Sequence, residues 1–360
     1  MKIRIFGESH APEIGVEIEG VPKGTVIDGA ELQAFLDRRA PGNGQGGMST
    51  PRKEPDIPRI VSGLVDGVSC GAPLCAIIEN TNVRSGDYEK LKDVPRPAHA
   101  DFAARIKHGG ANDVRGGGHF SARLTAPLCF AGAVCLQLLK EKNIYIGAHI
   151  CSIANVKDRL FDSVNLSAAD LTRLASRERP LLTPELWQEM EKAVTDARAD
   201  QDSVGGIIEC GIVGLPVGIG EPMFGGMENR ISQAIFAVPA VKGIEFGNGF
   251  ECAALRGSQN NDAFYYDGDR IRTKTNNHGG ILGGLSSGMP VIFRAAFKPT
   301  PSIAQSQQSV SFSQKQDTEL VIQGRHDPCV VLRAVPCVEA AAALAVYDMV
   351  LDSNNGNLFA

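Results

Sequence analysis

The sequence lacks the features that mark several common classes of protein. No two of its nine cysteines form a C-x-x-C pair and their number is odd, so neither a disulfide framework nor a zinc knuckle is expected. Basic residues do not outnumber acidic ones, and a net charge of -5 argues against a general nucleic-acid binder. The apolar runs fall short of the roughly 18 residues of a membrane span, and the first residues lack the hydrophobic segment of a signal peptide. We therefore expect a cytoplasmic protein that contacts neither nucleic acid nor membrane.

Histidine is also scarce, with seven copies, and no H-E-x-x-H or other paired spacing occurs, so no metal site is predicted. His10 and His99 both lie outside the predicted helix faces. A lone histidine in a loop is more often a surface residue. Beside arginine and aspartate, as in residues 96–101, it can instead serve as a general acid near neutral pH.

Glycine is present in excess and in clusters: forty of the 360 residues, about 11%, against roughly 7% in average proteins. Residues 42–47 match G-x-G-x-x-G, but they follow a helical pattern and lead to prolines, so the strand-to-helix context of a dinucleotide site is missing. Residues 116–118 run into a predicted helix and could bind an anion with backbone N–H groups. The alternative there is a tight turn beside a packed helix. A second cluster, residues 279–284, precedes a Lys298 to Ser302 stretch whose composition suits either a phosphate site or an ordinary loop.

The apolar periodicity predicts an irregular mixture of strands and helices, without the regular alternation of a doubly wound parallel sheet. The chain length suggests two domains, although one large layered fold is also compatible. We assign the α+β class. Predicted strands are 3–6, 14–18, 60–64, 72–78, 144–150, 204–213, 291–297 and 319–322, and predicted helices are 30–39, 121–140, 184–194 and 338–352.

Ten motifs in a fixed order resemble the chorismate synthase family, and the likeness extends over nearly the whole chain. They are residues 6–10 (FGESH), 38–39 with 50–53, 84–88, 96–101 (RPAHAD), 115–118 with 121–125, 202–206, 242–243, 275–277, 297–300 and 324–329 (GRHDPC). The resemblance implies a single domain over residues 1–360, with a helical layer sandwiched between antiparallel β-sheets, and a homotetramer.

Members of that family are lyases of the shikimate pathway of aromatic amino acid biosynthesis. They convert 5-enolpyruvylshikimate 3-phosphate to chorismate and phosphate by trans-1,4 elimination and require reduced FMN, with NADPH as a candidate reductant. The resemblance implies that His10 protonates the departing phosphate and that His99 protonates or stabilises the anionic reduced flavin. It also implies that Asp327 works with the flavin in removing the ring proton.

The same resemblance assigns the binding residues. Four arginines would bind the anionic groups of the substrate, in bidentate contacts where possible: Arg39, Arg96, Arg123 and Arg325. The cofactor positions of the family correspond to His119, Phe120, Ser121, Pro239, Ala240, Gly283, Lys298, Pro299, Thr300, Pro301, Ser302 and Arg325, and Arg39 corresponds to an NADPH position. The sequence departs from the family at Ala11, in the long loop 43–48, and at His119 and Phe120, which replace a common Arg-Ser pair.

Two other classes of function remain open on the residues alone. A flavin-dependent oxidoreductase could use the same pocket, in which case NADPH would be consumed in step with product. A protein that only binds anions would retain the pocket without needing His10 or His99.

Overall fold

The computed structural model describes residues 1–42, 54–81, 91–322 and 327–353. Its strands are β1 (Lys2–Gly7), β2 (Glu13–Glu19), β3 (Pro58–Ser62), β4 (Leu64–Val65), β5 (Val68–Ser69), β6 (Leu74–Glu79), β7 (Tyr145–Ile153), β8 (Val156–Lys157), β9 (Gly206–Val213), β10 (Val241–Phe246), β11 (Phe264–Asp267), β12 (Arg270–Thr273), β13 (Ile281–Leu282), β14 (Leu285–Ser286), β15 (Val291–Phe297), β16 (Gln307–Ser311) and β17 (Gln316–Leu320). Its α-helices are α1 (Gly29–Arg39), α2 (Asp101–Lys107), α3 (Thr125–Lys140), α4 (Ala168–Ala175), α5 (Trp187–Ala199), α6 (Met227–Phe236), α7 (Gly257–Asn260) and α8 (Val331–Ser353).

The first sheet has the strand order β1-β2-β6-β3, with every neighbouring pair antiparallel. Side chains on successive residues of a strand point to opposite faces. In β2 this places Ile14, Val16 and Ile18 on the fully buried face, and Glu17 and Glu19 on the face toward solvent. One face of this sheet therefore belongs to the core.

The second sheet has the order β10-β15-β9-β7-β8, again antiparallel throughout, and its central strands are covered on both faces. Helix α8 packs on one face of β7 and β9, and α4 packs on β7. Gly147 of β7 pairs with Gly211 of β9. A Cβ atom at Gly147 would lie 3.0 Å from the Cβ of Leu171, so the glycines leave room for the leucines of the α4 region.

A helical layer separates the two sheets. Helix α3 packs on β2 and β6 of the first sheet, α8 packs on β7 and β9 of the second, and α3 and α8 pack closely on each other. A Cβ added to Gly132 of α3 would overlap Ala340 of α8, so small residues at this crossing permit the close approach. The predicted α+β class and the sandwich of helices between antiparallel sheets are confirmed.

An ion pair lies within this layer. Arg38 at the end of α1 donates from two nitrogens to Glu339 of α8, at 2.6 and 2.9 Å. Glu339, only 1% exposed, also accepts from the backbone N–H of Ala148 at 2.9 Å. One buried carboxylate thus joins α1, α8 and β7, and its lone pairs are used in a setting where an unpaired charge would be costly.

Within the part of the chain that the structure describes, two helical segments are long and apolar enough to cross a membrane, Ala122–Lys140 and Val331–Ser353. In the fold, 83% and 89% of the respective windows are buried inside the protein. They are the two central helices of the core, which explains their composition without a membrane.

The predicted elements match the structure best where the periodicity is local. The predicted strands at 3–6, 14–18 and 291–297 correspond to β1, β2 and β15. The predicted start of the last helix at residue 338 is wrong, because α8 begins at Val331 and contains Pro336. Proline disfavours a helix interior, but Val331 and Val335 are fully buried here, so packing outweighs local propensity. The helix predicted from residue 121 begins with a 3-10 turn, Ala122–Leu124, before α3.

Candidate active site

A cavity of about 540 Å³ opens between the end of α1, the turns before α3, the α6–β10 connection, the segment after β15 and the start of α8. Its size lies in the range of small-molecule and cofactor sites. It brings together most of the residues predicted from the sequence. Those that line it are Arg39, Arg96, His99, His119, Phe120, Ser121, Arg123, Pro239, Ala240, Lys298, Thr300, Pro301, Ser302 and Asp327.

Three predicted residues do not line the cavity, and a fourth lies outside the described residues. His10 and Pro299 are not part of the lining, and neither is Gly283, in the turn between β13 and β14. Arg325 and most of the 42–47 glycine loop lie outside the described residues. The assigned roles of these residues remain predictions.

His10 lies directly behind the cavity wall. It follows β1 in a turn whose carbonyls, at Glu8 and Ala11, both accept from the Asn80 side chain, at 3.1 and 2.7 Å. Both imidazole nitrogens of His10 are buried. Gly116 lines the cavity, and a Cβ atom added to it would lie 2.6 Å from Cε1 and from Nδ1 of His10. The backbone can approach the imidazole this closely only because residue 116 is glycine.

The next glycine contacts the second histidine. A Cβ atom on Gly117 would lie 3.2 Å from Nε2 of His99, and the φ of +89° at Gly117 itself favours glycine. The glycine turn thus lies against His10 at one residue and His99 at the next. The sequence predicted an anion site or a tight turn at residues 116–118, and the described contacts are those of a turn that holds two imidazoles.

His99 is oriented by a buried carboxylate. Its Nδ1 lies 2.6 Å from Oδ1 of Asp101 and 3.1 Å from Nη2 of Arg96. Burial opposes ionisation of Asp101, but hydrogen bonds from Arg96 and His99 lower its pKa well below the usual range. An ionised carboxylate only accepts, so the shorter contact places a proton on Nδ1 of His99. The other ring nitrogen, Nε2, faces the glycine turn.

Arg96 is fixed by the same carboxylate. Its Nε and Nη2 donate to the two oxygens of Asp101, at 2.7 and 2.8 Å, and its Nη1 donates to Oγ of Ser302 at 3.3 Å. The guanidinium is thereby held between the turn before α2 and the segment after β15. It is 6% exposed and lines the cavity.

Two further arginines share one carboxylate that the sequence did not single out. Arg39 donates from Nε to Asp56 at 2.5 Å, and Arg123 donates from Nη1 to the other oxygen of Asp56. Asp56 is fully buried. Burial would raise its pKa, but the charge and hydrogen bond of Arg39, and then those of Arg123, hold the pKa of Asp56 below its usual value.

The pKa values of these two arginines shift in opposite directions. Burial lowers the pKa of Arg39, but Asp56 more than compensates, so the pKa is raised overall. Burial lowers the pKa of Arg123, and the charge of Arg39 adds to that shift although Asp56 and Glu54 oppose it. A ligand anion near Arg123 would relieve this repulsion.

Asp327 precedes α8, and its carboxylate binds an arginine in the first turn of that helix. Nη1 of Arg333 donates to Oδ2 of Asp327 at 2.7 Å, and Nε of Arg333 donates to the backbone carbonyl of Arg39 at 3.1 Å. Arg333 lines the cavity but was not predicted as a site residue. It connects the predicted carboxylate with the predicted anion-binding arginine.

Lys298 donates hydrogen bonds to two residues of the cavity wall that have strained backbone conformations. Its backbone N–H donates to the carbonyl of Ala240 at 3.0 Å, and its ammonium group donates to the carbonyl of Ala98. Ala98 and Ala240 have positive φ values, of 56° and 74°. Such strain at non-glycine residues clusters at functional sites. Burial, and then the charge of Lys242, lower the pKa of Lys298.

Two of the residues that depart from the family pattern, His119 and Phe120, lie at the rim. His119 is 64% exposed, and its Nδ1 lies 2.9 Å from Oε1 of Glu8. Phe120 is 42% exposed. The next residue, Ser121, accepts from the backbone N–H of Arg123 and so caps the turn that carries this arginine.

The second glycine cluster has a structural role. The Asn276 side chain donates to the carbonyl of Pro290 at 2.8 Å and accepts from the N–H of Gly280 at 2.8 Å. A Cβ on Gly280 would lie 2.8 Å from the carbonyl carbon of Pro290. The cluster therefore lets two backbone segments approach each other within the second sheet region, where the sequence predicted contact with a phosphate or flavin.

Sequence reasoning missed the buried carboxylates beside the site and one of the arginines that line it. Asp56 and Glu54 are buried beside Arg123, and Arg333 is the cavity arginine at the start of α8. The sequence did contain a signal for these carboxylates. The motifs placed several arginines in one site, and buried arginines need carboxylate partners. The site that results combines several cationic side chains, the imidazoles of His99 and His119 and the carboxylates of Glu54 and Asp327 around one cavity, which suits a polyanionic ligand and proton transfer.

Comparison with known proteins gives consistent relatives. Residues 1–351 match the protein-family model described as chorismate synthase. The chain is 48% identical over 359 residues to a chorismate synthase of Lancefieldella parvula, covering 97% of this chain and 94% of that protein. It is 43% identical over 352 residues to a chorismate synthase of Pyrococcus abyssi, covering 98% and 96%.

The likeness extends to three dimensions. A crystal structure of chorismate synthase superposes on this chain with a TM-score of 0.77, at 26% sequence identity. The match covers 99% of this chain and 93% of that one. The sandwich of helices between antiparallel sheets is therefore shared with a solved structure.

Proposed function

The chain belongs to the chorismate synthase family, and on that premise we propose that it converts 5-enolpyruvylshikimate 3-phosphate to chorismate and phosphate by trans-1,4 elimination, with reduced FMN as cofactor. The observation that carries this proposal is that Arg39, Arg96, Arg123 and Lys298 line one cavity together with His99 and Asp327. A substrate with one phosphate and two carboxylates needs several fixed cations. The cavity supplies them in a protein whose overall charge is negative.

The cavity also fits a flavin mononucleotide. Its volume is within the range of cofactor sites, and one wall is the apolar backbone turn of residues 237–240. Lys298, Thr300 and Ser302 offer an ammonium group and hydroxyls on a segment stiffened by prolines, which suits a phosphate. We assign FMN binding to this wall and to His119, Phe120 and Ser121 at the rim. When bound, reduced FMN supplies electron density to the substrate as the phosphate leaves.

The proton-carrying groups then have distinct tasks. His10 protonates the departing phosphate, because the phosphate oxygen gains negative charge as the C–O bond breaks and a proton neutralises it. His99 holds a proton at Nδ1 against Asp101 and presents Nε2 on the side of the glycine turn. Asp327, oriented by Arg333, assists removal of the ring proton. Arg39, Arg96 and Arg123 orient the substrate, and we assign Arg325 to the same role.

We propose that the protein is a cytoplasmic homotetramer of single-domain chains. NADPH is the proposed reductant of the flavin, and Arg39 is the residue assigned to NADPH binding. The surface supports association with further copies, since Phe250, Phe264 and Tyr266 are 86%, 64% and 76% exposed. Phe264 and Tyr266 are alternate residues of β11 and therefore share one face of the strand, and contiguous exposed apolar side chains mark contact surfaces. Sedimentation velocity of the purified chain tests the stoichiometry, and a monomer at micromolar concentration would contradict it.

The decisive experiment is an anaerobic assay with photoreduced FMN and 5-enolpyruvylshikimate 3-phosphate. We expect phosphate release without net consumption of reductant, and no release at any flavin concentration would overturn the proposal. Stoichiometric oxidation of NADPH would indicate an oxidoreductase instead. His10→Ala should slow turnover by roughly 10²-fold or more, whereas His108→Ala, at an exposed histidine outside the cavity lining, should not.

A further inference from the structure

Two thiols meet in the middle of the helical layer. Sγ of Cys129 in α3 lies 3.8 Å from Sγ of Cys337 in α8, and the two side chains are 0% and 2% exposed. All nine cysteines lie in the described ranges, and the others form no thiol–thiol hydrogen bond there. The proposed reaction uses neither of the two.

The helix crossing brings these sulfurs together. Each cysteine lies three residues before its member of the Gly132–Ala340 contact, where no room exists even for an added methyl group. A disulfide has an S–S bond of about 2.05 Å. Closing the present gap therefore requires each sulfur to move by roughly an ångström, which side-chain rotation and small helix shifts can supply.

The two thiols differ in their access to solutes. Cys337 lines the cavity described above, whereas Cys129 is not part of the lining. Cys129 donates a hydrogen bond to Sγ of Cys337. This hydrogen bond makes the largest contribution to the lowered pKa of Cys337. Burial opposes that shift, whereas the charge of Arg39 lowers the pKa further. Burial raises the pKa of Cys129. Cys337, the cysteine in the cavity wall, is thus also the one whose pKa is lowered.

We propose that Cys129 and Cys337 form an oxidation site, at which a hydroperoxide entering the cavity converts the two thiols into a disulfide between α3 and α8. The sulfur of Cys337 attacks one oxygen of hydrogen peroxide, the O–O bond breaks, and a sulfenic acid and one water form. The thiol of Cys129 then attacks that sulfur, and the hydroxyl group leaves with the thiol proton as a second water. The two sulfurs lose two electrons in total, and the peroxide gains them. A dithiol reductant reverses the change by exchange.

Peptide mapping of the full-length protein tests the product. The reduced protein is treated with hydrogen peroxide, denatured in an alkylating reagent and digested. We expect one peptide pair joining residues 129 and 337, with the mass of two hydrogens lost, and a fall in titratable thiols from nine to seven. Dithiothreitol should restore all of them. Recovery of both cysteines as alkylated thiols, or pairing of either with another cysteine, would overturn the proposal.

Single variants test the order of the two steps. In Cys129→Ser, the sulfenic acid at Cys337 should persist and be trapped by dimedone. In Cys337→Ser, Cys129 should stay reduced under the same treatment, because it does not line the cavity. Cys210→Ser, at a fully buried cysteine of β9, is the matched control and should give the wild-type disulfide. Equal trapping at both positions would contradict the assigned roles, and the mapping of the unsubstituted protein remains decisive if a variant fails to fold.

Discussion

Nδ1 of His99 lies 2.6 Å from Oδ1 of Asp101, and this carboxylate is itself held by the guanidinium of Arg96. The pair fixes which ring nitrogen of His99 carries a proton and in which direction the ring points. Asp101 therefore acts on the proposed reaction through His99. It is a positioning residue, since it reaches the cavity only by way of its neighbours.

Replacing Asp101 with asparagine should reduce kcat by roughly 10²-fold, the lower end of what a positioned acid or base contributes. An amide can both donate and accept, so it no longer selects one tautomer of His99. In a His99→Ala background the same substitution should add little, because coupled residues are not additive. Asp170→Asn removes a carboxylate paired with Arg173 away from the cavity and should leave kcat unchanged. Full additivity of Asp101→Asn and His99→Ala would contradict the positioning role of Asp101.

Gly116→Ala should impair catalysis beyond its effect on stability. The new methyl group would meet Cε1 and Nδ1 of His10 at 2.6 Å, so the imidazole must shift. A displacement of about 1 Å at a catalytic group can cost roughly 10²-fold in rate. Gly109→Ala is the matched control, since its φ of +60° resembles the +56° of Gly116 but nothing lies within 4 Å of the added atom.

Both glycine variants should lose about 1 kcal/mol of unfolding free energy from the left-handed backbone alone. Denaturant unfolding and steady-state kinetics on the same samples separate the two effects. Similar activity in the two variants would show that Gly116 does not position His10.

Asp56→Asn should destabilise the protein by about 3–5 kcal/mol, because it leaves Arg39 and Arg123 buried without their shared countercharge. Glu13→Gln removes one carboxylate from an exposed pair with Arg59 and should cost at most about 1 kcal/mol. Urea unfolding midpoints provide the comparison. Equal losses in the two variants would mean that the buried network contributes no more than a surface pair.

The stability difference between the wild-type protein and Asp101→Asn should depend on pH. The pKa of Asp101 is lowered in the folded protein relative to its usual value of about 3.9. The unfolded chain therefore binds more protons between the lowered and the usual value, and stability rises with pH in that window. The contribution is fully present above about pH 4–5 and is lost as pH falls further, by at most about 1.4 kcal/mol per pH unit. A difference that stays constant from pH 7 to pH 2 would contradict this assignment.

The parts of the fold that could be read from the sequence are those set by short-range patterns. The alternation in β2 and the apolar face of α1 are local, and both elements were predicted within a residue or so of their bounds. The start of α8 was not predictable in this way, since Pro336 obscures it and the burial that stabilises it comes from distant strands. The hairpin β11–β12 has no buried residue in β11 and only one, Thr273, in β12, so no core pattern marks it.

The candidate site shows the same division. The motif residues His99, Arg123 and Asp327 line one cavity, as expected for groups that share a ligand. Asp56 could not be assigned, because its partners lie 17 and 67 residues away and only the folded chain brings them together. Gly283 is not in the lining of that cavity, and its role as a flavin contact stays a prediction.

The position of α8 has a consequence for how the chain folds. Contacts between α3 and α8, such as the one between Cys129 and Cys337, join residues 208 apart in sequence. Closing so long a loop costs entropy before the contact stabilises anything, and topologies rich in such contacts fold slowly. Until α8 docks, the buried faces of α3 and β7 have no cover and expose apolar surface. Refolding should therefore pass through a species that binds hydrophobic dyes and aggregates as protein concentration rises, and pulse-labelling hydrogen exchange should find α3 and α8 protected together and late.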